Sequence, residues 1–287
     1  MSKIEKALKR MGNVSKGNSE LKEKPPLMPK AEAKDTAKSK IPSPTRLHHL
    51  DMEELENMGF LVPEARQSAL AEEFRVLKRP LLINAFSSGE AAVENANIVM
   101  VTSALPRDGK TFTTINLGMS MTMETDTTIL LVDGDVIRPA LTQAMGLEGE
   151  PGLTDVLDGQ MSLGDVIVRT DVPKLRVLPA GRAHGRSSEL LASSRMREVR
   201  NELARRYSDR MVLFDSPPLL STSHASGISR LAGQVLIVVE AGKTPQSAIK
   251  EAISHIGPGH IIGLALNKSP QPARGSYYGG LYGAYGQ

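Results

Sequence analysis

The chain has 287 residues, enough for one large α/β domain and additional segments. Its net charge of +3 hides an asymmetry: residues 1–48 hold 12 Lys and Arg against 5 Asp and Glu, so this stretch carries +7 and the remainder −4. It contains no cysteine, which excludes disulfides, thiolate zinc sites and cysteine-held iron–sulfur clusters.

Met1–Arg10 is charged throughout and no apolar core follows, so no signal peptide is expected. Within Ser2–Met11 the spacing of Ile4, Ala7, Leu8 and Met11 predicts a short amphipathic helix ending at Gly12. From Ser15 to about Arg46 the Lys, Pro, Ser and Ala content predicts disorder. Residues 1–48 thus read as a basic arm, either a solvated tail or a segment attracted to anionic lipid or an acidic partner. The arm has no aromatics for base stacking, so nucleic acid is not the expected partner.

Residues 49–96 read as a helical lead-in, with the helical pattern over 51–85 interrupted near Pro63 and Pro80. From Asn97 short β-branched runs alternate with helical stretches. The predicted strands are Ile98–Thr102, Thr128–Asp133, Leu175–Pro179, Met211–Asp215, Val235–Glu240 and Ile261–Asn267. The predicted helices include Thr111–Met123, Ser188–Tyr207 and Gln246–Ile256. Near-continuous apolar strands separated by helices predict a mostly parallel sheet covered by helices on both faces, spanning residues 97–270. The longest apolar runs, Ile129–Val132 and Val235–Val239, fall far short of the ~20 residues that cross a bilayer, so no membrane span is expected. Residues 271–287 form a Gly/Tyr-rich tail without core periodicity.

In such sheets ligands bind beyond the C-terminal ends of the strands, and the informative residues stand there. Ser103-Ala104-Leu105-Pro106-Arg107-Asp108-Gly109-Lys110-Thr111 follows the first strand and fits the phosphate-loop pattern of a small residue, four residues, then Gly-Lys-Thr. Wrapped around phosphates, such a loop turns backbone N–H groups inward, and the following helix adds its positive end. Lys110 would reach the β- and γ-phosphates and Thr111 would hold Mg²⁺, while Gly109 permits close backbone approach. Asp133 and Asp135 end the second strand, and Asp215 ends another. Asp215 suits a metal or its water. Gly134 is expected to bend the chain so that Asp133 and Asp135 both reach the site, one orienting a metal-bound water and the other accepting a hydroxyl proton.

Four of the five tyrosines, Tyr277, Tyr278, Tyr282 and Tyr285, lie in the last eleven residues, separated by glycines. They cannot pack as a core and read as a multi-site phosphoacceptor. Nine residues separate Asn267 from Tyr277, a reach of about 30 Å when extended. Pro270 and Pro272 stiffen this linker, so delivery to a neighbouring copy's cleft is expected over folding back.

These features together resemble the bacterial tyrosine autokinases, the BY-kinases, which carry P-loop ATPase motifs. The resemblance rests on Pro106–Thr111, on Leu131–Pro139, on Asp215-Ser216-Pro217-Pro218, on Glu189-Leu190-Leu191 and on the tyrosine tail. It is strongest to the exosortase-associated (PEP-CTERM) autokinases through Lys78–Leu82, Met100–Pro106 and Leu178–Arg182, and covers roughly residues 50–270. It implies a P-loop NTPase fold and autophosphorylation of the tail with ATP and Mg²⁺, coupled to exopolysaccharide synthesis and export.

It also implies site residues. Catalysis falls to Lys110, Asp133 and Asp135. Nucleotide contacts fall to Ala104, Pro106, Arg107, Asp108, Gly109, Lys110, Thr111, Phe112 and Asn267, and metal binding to Thr111, Asp135 and Asp215. Glu72, Arg75 and Lys78 match a family helix that packs subunits into rings. The implied partners are a second copy of the chain and a separate membrane-embedded chain-length regulator, which places the protein in the cytoplasm at the inner face of the membrane. Arg107 departs from the Gly of many relatives, and Ala104 replaces the first loop glycine.

Two other readings share the motifs. A positioning ATPase of the ParA/MinD kind carries an extra lysine near the start of the loop, where Leu105 stands here, and lacks a tyrosine tail. A nucleotide-gated scaffold of a polysaccharide export complex would not need the full set of Lys110, Thr111, Asp133, Asp135 and Asp215.

Overall fold

The computed structural model describes residues 47–63, 68–89, 92–182, 185, 187–206, 210–221 and 228–269. The expected N-terminal helix, the basic linker, Tyr207 and the tyrosine tail lie outside the described residues.

Eight strands form one sheet in the order β1-β4-β5-β3-β6-β2-β7-β8. They are β1 Leu47–His48, β2 Ile98–Ser103, β3 Thr128–Asp133, β4 Val168–Thr170, β5 Leu175–Leu178, β6 Arg210–Asp215, β7 Gln234–Glu240 and β8 Ile261–Asn267. All pairs are parallel except β4 with β5. The mostly parallel α/β architecture expected from the sequence is the one found.

The central strands β2, β6 and β7 are buried along their whole length, which is why their sequences run apolar without alternation. Their side chains still divide by face. Ile98, Met100, Val212 and Phe214 enter one core, and Val99, Val101, Met211 and Leu213 the other. The second face is covered by α2 (Ala69–Ala85) through Ala71, Phe74 and Leu81, and by α3 (Lys110–Met121) through Ile115, Leu117, Met119 and Met121. α1 (Met52–Asn57) adds Leu55, and α4 (Ala140–Ala144) adds Leu141. The first face is covered by α5 (Leu153–Leu157), α6 (Leu163–Val166), α7 (Ser187–Leu191), α8 (Ser194–Arg206) and α9 (Gln246–Ser254).

Three expectations are corrected. Pro80 lies inside α2 and does not interrupt it. The residue four positions earlier, whose carbonyl loses its helical donor, is Val76 on the exposed side of the helix, so that carbonyl is not sealed in the core. The predicted helix Ser188–Tyr207 is two helices, because Ser193 ends one and caps the next: its N–H donates to the Leu190 carbonyl and its Oγ accepts from the Met196 N–H. The sheet also extends through β4 to Leu47 and His48, residues read from the sequence as the end of the basic arm.

Candidate active site

The phosphate loop joins β2 to α3. β2 ends at Ser103, Ala104 is fully buried, and α3 starts at Lys110 with Gly109 as its N-cap at φ 100°. That left-handed angle favours glycine, and a Cβ on Gly109 would lie 2.0 Å from Asn267 Nδ2, displacing that amide from its place on the loop. Asp108 is the internal brace of the loop. It is buried, and its two carboxylate oxygens accept from the Leu105 N–H at 3.3 Å and the Thr244 hydroxyl at 2.9 Å. Its carbonyl accepts from Asn267 Nδ2 at 2.9 Å.

Four strand ends converge on this loop. The Thr111 hydroxyl donates to Asp215 Oδ2 at 2.6 Å, and the Thr114 hydroxyl lies 3.4 Å from Asp215 Oδ1. Lys110 Nζ stands 3.5 Å from Asp135 Oδ2. The ends of β3 and β6 are locked in register, Asp133 opposite Asp215, and the Gly134 N–H donates to the Asp215 carbonyl at 2.8 Å. Lys110, Thr111, Asp135 and Asp215 are therefore gathered as the sequence predicts.

Asp133 departs from its expected part. It is fully buried, and both oxygens are taken by its own chain. Oδ1 accepts from the Asp135 N–H at 3.1 Å; Oδ2 accepts from the Thr142 N–H at 2.8 Å and the Thr142 hydroxyl at 2.7 Å. With three donors on two oxygens it has the surroundings of an anchor, not of a base turned to a cleft. It fixes the turn that presents Asp135, whose own Oδ1 accepts from the Arg138 N–H at 3.2 Å. Burial pushes the Asp133 carboxyl up to about 7, and the Asp215 charge adds to the push. Burial likewise raises Asp215 to about 6, opposed mainly by the Lys110 charge and the Thr111 hydrogen bond.

The other predicted residues divide. Pro106 and Arg107 are exposed at the loop tip. The Phe112 ring stacks on Phe60 at 5.6 Å and meets Phe74 at 6.4 Å. Asn267 is committed on both ends of its amide, to the Asp108 carbonyl and the Lys268 N–H. On α2, Glu72 and Arg75 form an exposed ion pair at 3.0 Å. Lys78 is turned inward: it is buried, donates to the Ser120 carbonyl at 2.7 Å and pairs with Glu124 at 2.7 Å. It therefore does not share the exposed face with Glu72 and Arg75. Thr114, Thr142, Thr244 and Lys268 belong to the site and were not singled out in the sequence. Thr114, Thr244 and Lys268 act through contacts between distant positions, and Thr142 follows Asp133 by nine residues with no local signature.

The donor set fits ATP with Mg²⁺. A helix N-terminus and a lysine suit phosphate. One hydroxyl beside one carboxylate suits a hard cation that keeps most of its shell as water and phosphate oxygen. A strand, a glycine-capped helix start and strand-end carboxylates in this arrangement define a P-loop nucleotide-binding protein.

Comparison with known proteins narrows this class. Residues 106–258 match the AAA domain family. The tyrosine-protein kinase YwqD of Bacillus subtilis (strain 168) is 29% identical over 74% of this chain and 88% of its own length. The succinoglycan biosynthesis transport protein ExoP of Rhizobium meliloti (strain 1021) is 32% identical over 77% of this chain, which spans 28% of ExoP. Among solved structures, the kinase domain of the Escherichia coli tyrosine kinase ETK superposes with a TM-score of 0.66 at 28% identity, covering 76% of this chain and 83% of that one. The chain belongs to the AAA domain family, and the proteins it resembles in sequence and in structure include bacterial tyrosine-protein kinases.

Proposed function

We propose that the chain is an ATP- and Mg²⁺-dependent tyrosine autokinase that phosphorylates Tyr277, Tyr278, Tyr282 and Tyr285. The observation that carries this reading is the convergence of Thr111 and Asp215 at 2.6 Å with Lys110 and Asp135 at 3.5 Å, beside a glycine-capped helix start. In the active complex Lys110 and the N–H groups of the loop bind and orient the phosphates. Thr111 and Asp215 would hold Mg²⁺, which screens charge on the transferring phosphoryl group. Asp135 is the carboxylate placed to accept the tyrosine hydroxyl proton, with Lys110 beside it, and Asp133 keeps the turn that presents it.

The reading extends to context. Transfer runs between copies, and the exposed Glu72–Arg75 pair on α2 is the surface offered to a neighbour. Lys78 is excluded from that surface by its burial. The relatives include a succinoglycan transport protein, which supports a role in exopolysaccharide synthesis and export. There the chain would act at the inner face of the cytoplasmic membrane with a separate membrane-embedded chain-length regulator. No helix among the described residues is long and apolar enough to cross a membrane.

A mixing experiment tests the kinase reading and the direction of transfer together. A Lys110→Met chain with its tyrosines is combined with an active chain whose four tail tyrosines are Phe, and phosphotyrosine is followed on each. Label is expected on the Lys110→Met chain alone. An unlabelled Lys110→Met chain would overturn transfer between copies, whereas ATP hydrolysis without phosphotyrosine in the unaltered protein would overturn the kinase reading in favour of a positioning ATPase.

A further inference from the structure

Among the described residues, four non-glycine residues have positive φ: Asn95, Arg107, Lys174 and Lys268. Two of these, 161 positions apart, are tied to each other: Lys268 Nζ donates to the Arg107 carbonyl at 2.6 Å. Arg107 stands at the tip of the phosphate loop at φ 72°, a conformation an L side chain rarely adopts unless its surroundings fix it. Lys268 follows directly on β8, at φ 54°.

The same ammonium donates to Glu240 Oε2 at 3.0 Å, and Glu240 Oε1 pairs with Lys243 at 2.5 Å. The two lysines, Lys243 before Lys268, hold the Glu240 carboxyl below the usual range, so the partner of Lys268 stays charged. Glu240 is itself fixed: its N–H donates to Thr244 Oγ1 at 3.1 Å, and that hydroxyl donates to Asp108 at 2.9 Å. The ends of β7 and β8 therefore grip the loop at two successive residues, Arg107 by Lys268 and Asp108 by Thr244 and Asn267.

We propose that Lys268 is a positioning residue for nucleotide binding, whose ammonium pins the Arg107 carbonyl and so holds the phosphate loop in its left-handed binding conformation. This rests on the ATP-binding reading above. It gives a reason for an arginine, which tolerates positive φ poorly, at a loop position that requires it: a side chain is admitted there because a lysine on the neighbouring strand end supplies the restraint that glycine would make unnecessary.

The test is a double-mutant cycle on the full chain: Lys268→Met, Arg107→Gly, both together, and Lys268→Arg as the conservative variant. The readouts are the dissociation constant of a fluorescent ATP analogue with Mg²⁺, and KM for ATP against kcat for tail phosphorylation. The Lys268 side chain is 45% exposed, so its replacement leaves the core intact. Lys268→Met should weaken analogue binding roughly tenfold, the order set by one charge-assisted hydrogen bond. KM for ATP should rise in parallel, and Lys268→Arg should retain most of the affinity. The double variant should bind as Arg107→Gly alone does, because glycine needs no clamp. Lost positive charge near the phosphates would also weaken binding, but Arg107→Gly could not restore it. Unchanged binding in Lys268→Met overturns the proposal, and so does a loss that persists undiminished in the Arg107→Gly background. Failure of the unaltered protein to bind the analogue is a different result and would overturn the nucleotide reading itself.

Discussion

The ends of β3 and β6 lie side by side in the sheet, and each finishes on a buried aspartate, yet the two carboxylates are used differently. Asp133 on β3 is saturated by its own chain: the Asp135 N–H and both donors of Thr142 close around it. Among the described residues, the hydrogen bonds to the Asp215 carboxylate come from side-chain hydroxyls, Thr111 at 2.6 Å and Thr114 at 3.4 Å, both from the helix that begins at the phosphate loop. Two hydroxyls can reorient toward an incoming ligand, whereas a backbone N–H cannot. Identical residues in paired register can therefore serve shape at one strand end and chemistry at the other.

The largest expected effect follows from the β6 end. Asp215→Asn keeps the volume and an acceptor for the Thr111 hydroxyl but removes the charge that the proposed metal site needs. Phosphotyrosine formation should fall at least ~100-fold, the order seen when electrostatic stabilisation of a transition state is lost. The melting temperature should hold or rise, since burial already works against this carboxylate. Activity within tenfold of the unaltered protein would remove Asp215 from the metal site.

Next comes the β3 end, where the effect should appear in stability against pH. Folding raises the Asp133 carboxyl from its ordinary 3.8 to about 7, so the folded chain binds a proton that the unfolded chain has released. This contribution favours folding fully below about pH 4, declines as the pH rises, and is lost above about pH 7. Asp215, raised to about 6, acts in the same direction. Nucleotide-free protein should therefore lose a few kcal/mol, roughly, between pH 5 and pH 8 through these groups. Asp133→Asn removes the larger share. Denaturant unfolding of both proteins at both pH values reads the difference in slope, which is independent of the fixed cost of placing an amide N–H against the Thr142 donors. Equal slopes would show that Asp133 keeps its charge at no cost.

The sequence made some of this legible. The phosphate loop was readable because its chemistry is written in consecutive residues from Ala104 to Thr111, and the central strands because burial on both faces leaves long apolar runs. The edge strands were not readable: Leu47–His48 and Val168–Thr170 are two and three residues long and carry no run. Asp133 could be placed at the site from its strand end, but its orientation depends on Thr142, whose position is fixed by α4 and by the Ala180 N–H that its hydroxyl accepts. Lys78 matched a surface motif by spacing alone. Its partner Glu124 lies just beyond α3, and only the packing of α2 on α3 brings the two together. Spacing along a chain identifies which residues can act on one element; it does not say which neighbour claims them first.

One substitution, Thr→Val, made at both strand ends separates them most finely. Valine keeps the shape of threonine and removes the hydroxyl. At Thr142 that hydroxyl donates to Asp133 at 2.7 Å and accepts from the Ala180 N–H at 3.0 Å, both in the interior. Thr142→Val takes the acceptor from the buried Ala180 N–H and one of the two donors from Asp133 Oδ2, and should cost about 2–3 kcal/mol of unfolding free energy. At Thr114 the hydroxyl donates to the Lys110 carbonyl four residues back at 2.9 Å, a carbonyl already placed to accept within α3, and reaches Asp215 only at 3.4 Å. Asp215 keeps its 2.6 Å bond from Thr111, so Thr114→Val should cost no more than about 0.5–1 kcal/mol. Measured at one pH without nucleotide, the two losses should differ by at least a factor of two. If Thr114→Val proves as costly as Thr142→Val, Asp215 depends on a second fixed donor just as Asp133 does. The β6 end would then be as rigid as the β3 end, and the freedom of its hydroxyls to turn toward a ligand would no longer explain why chemistry is placed there.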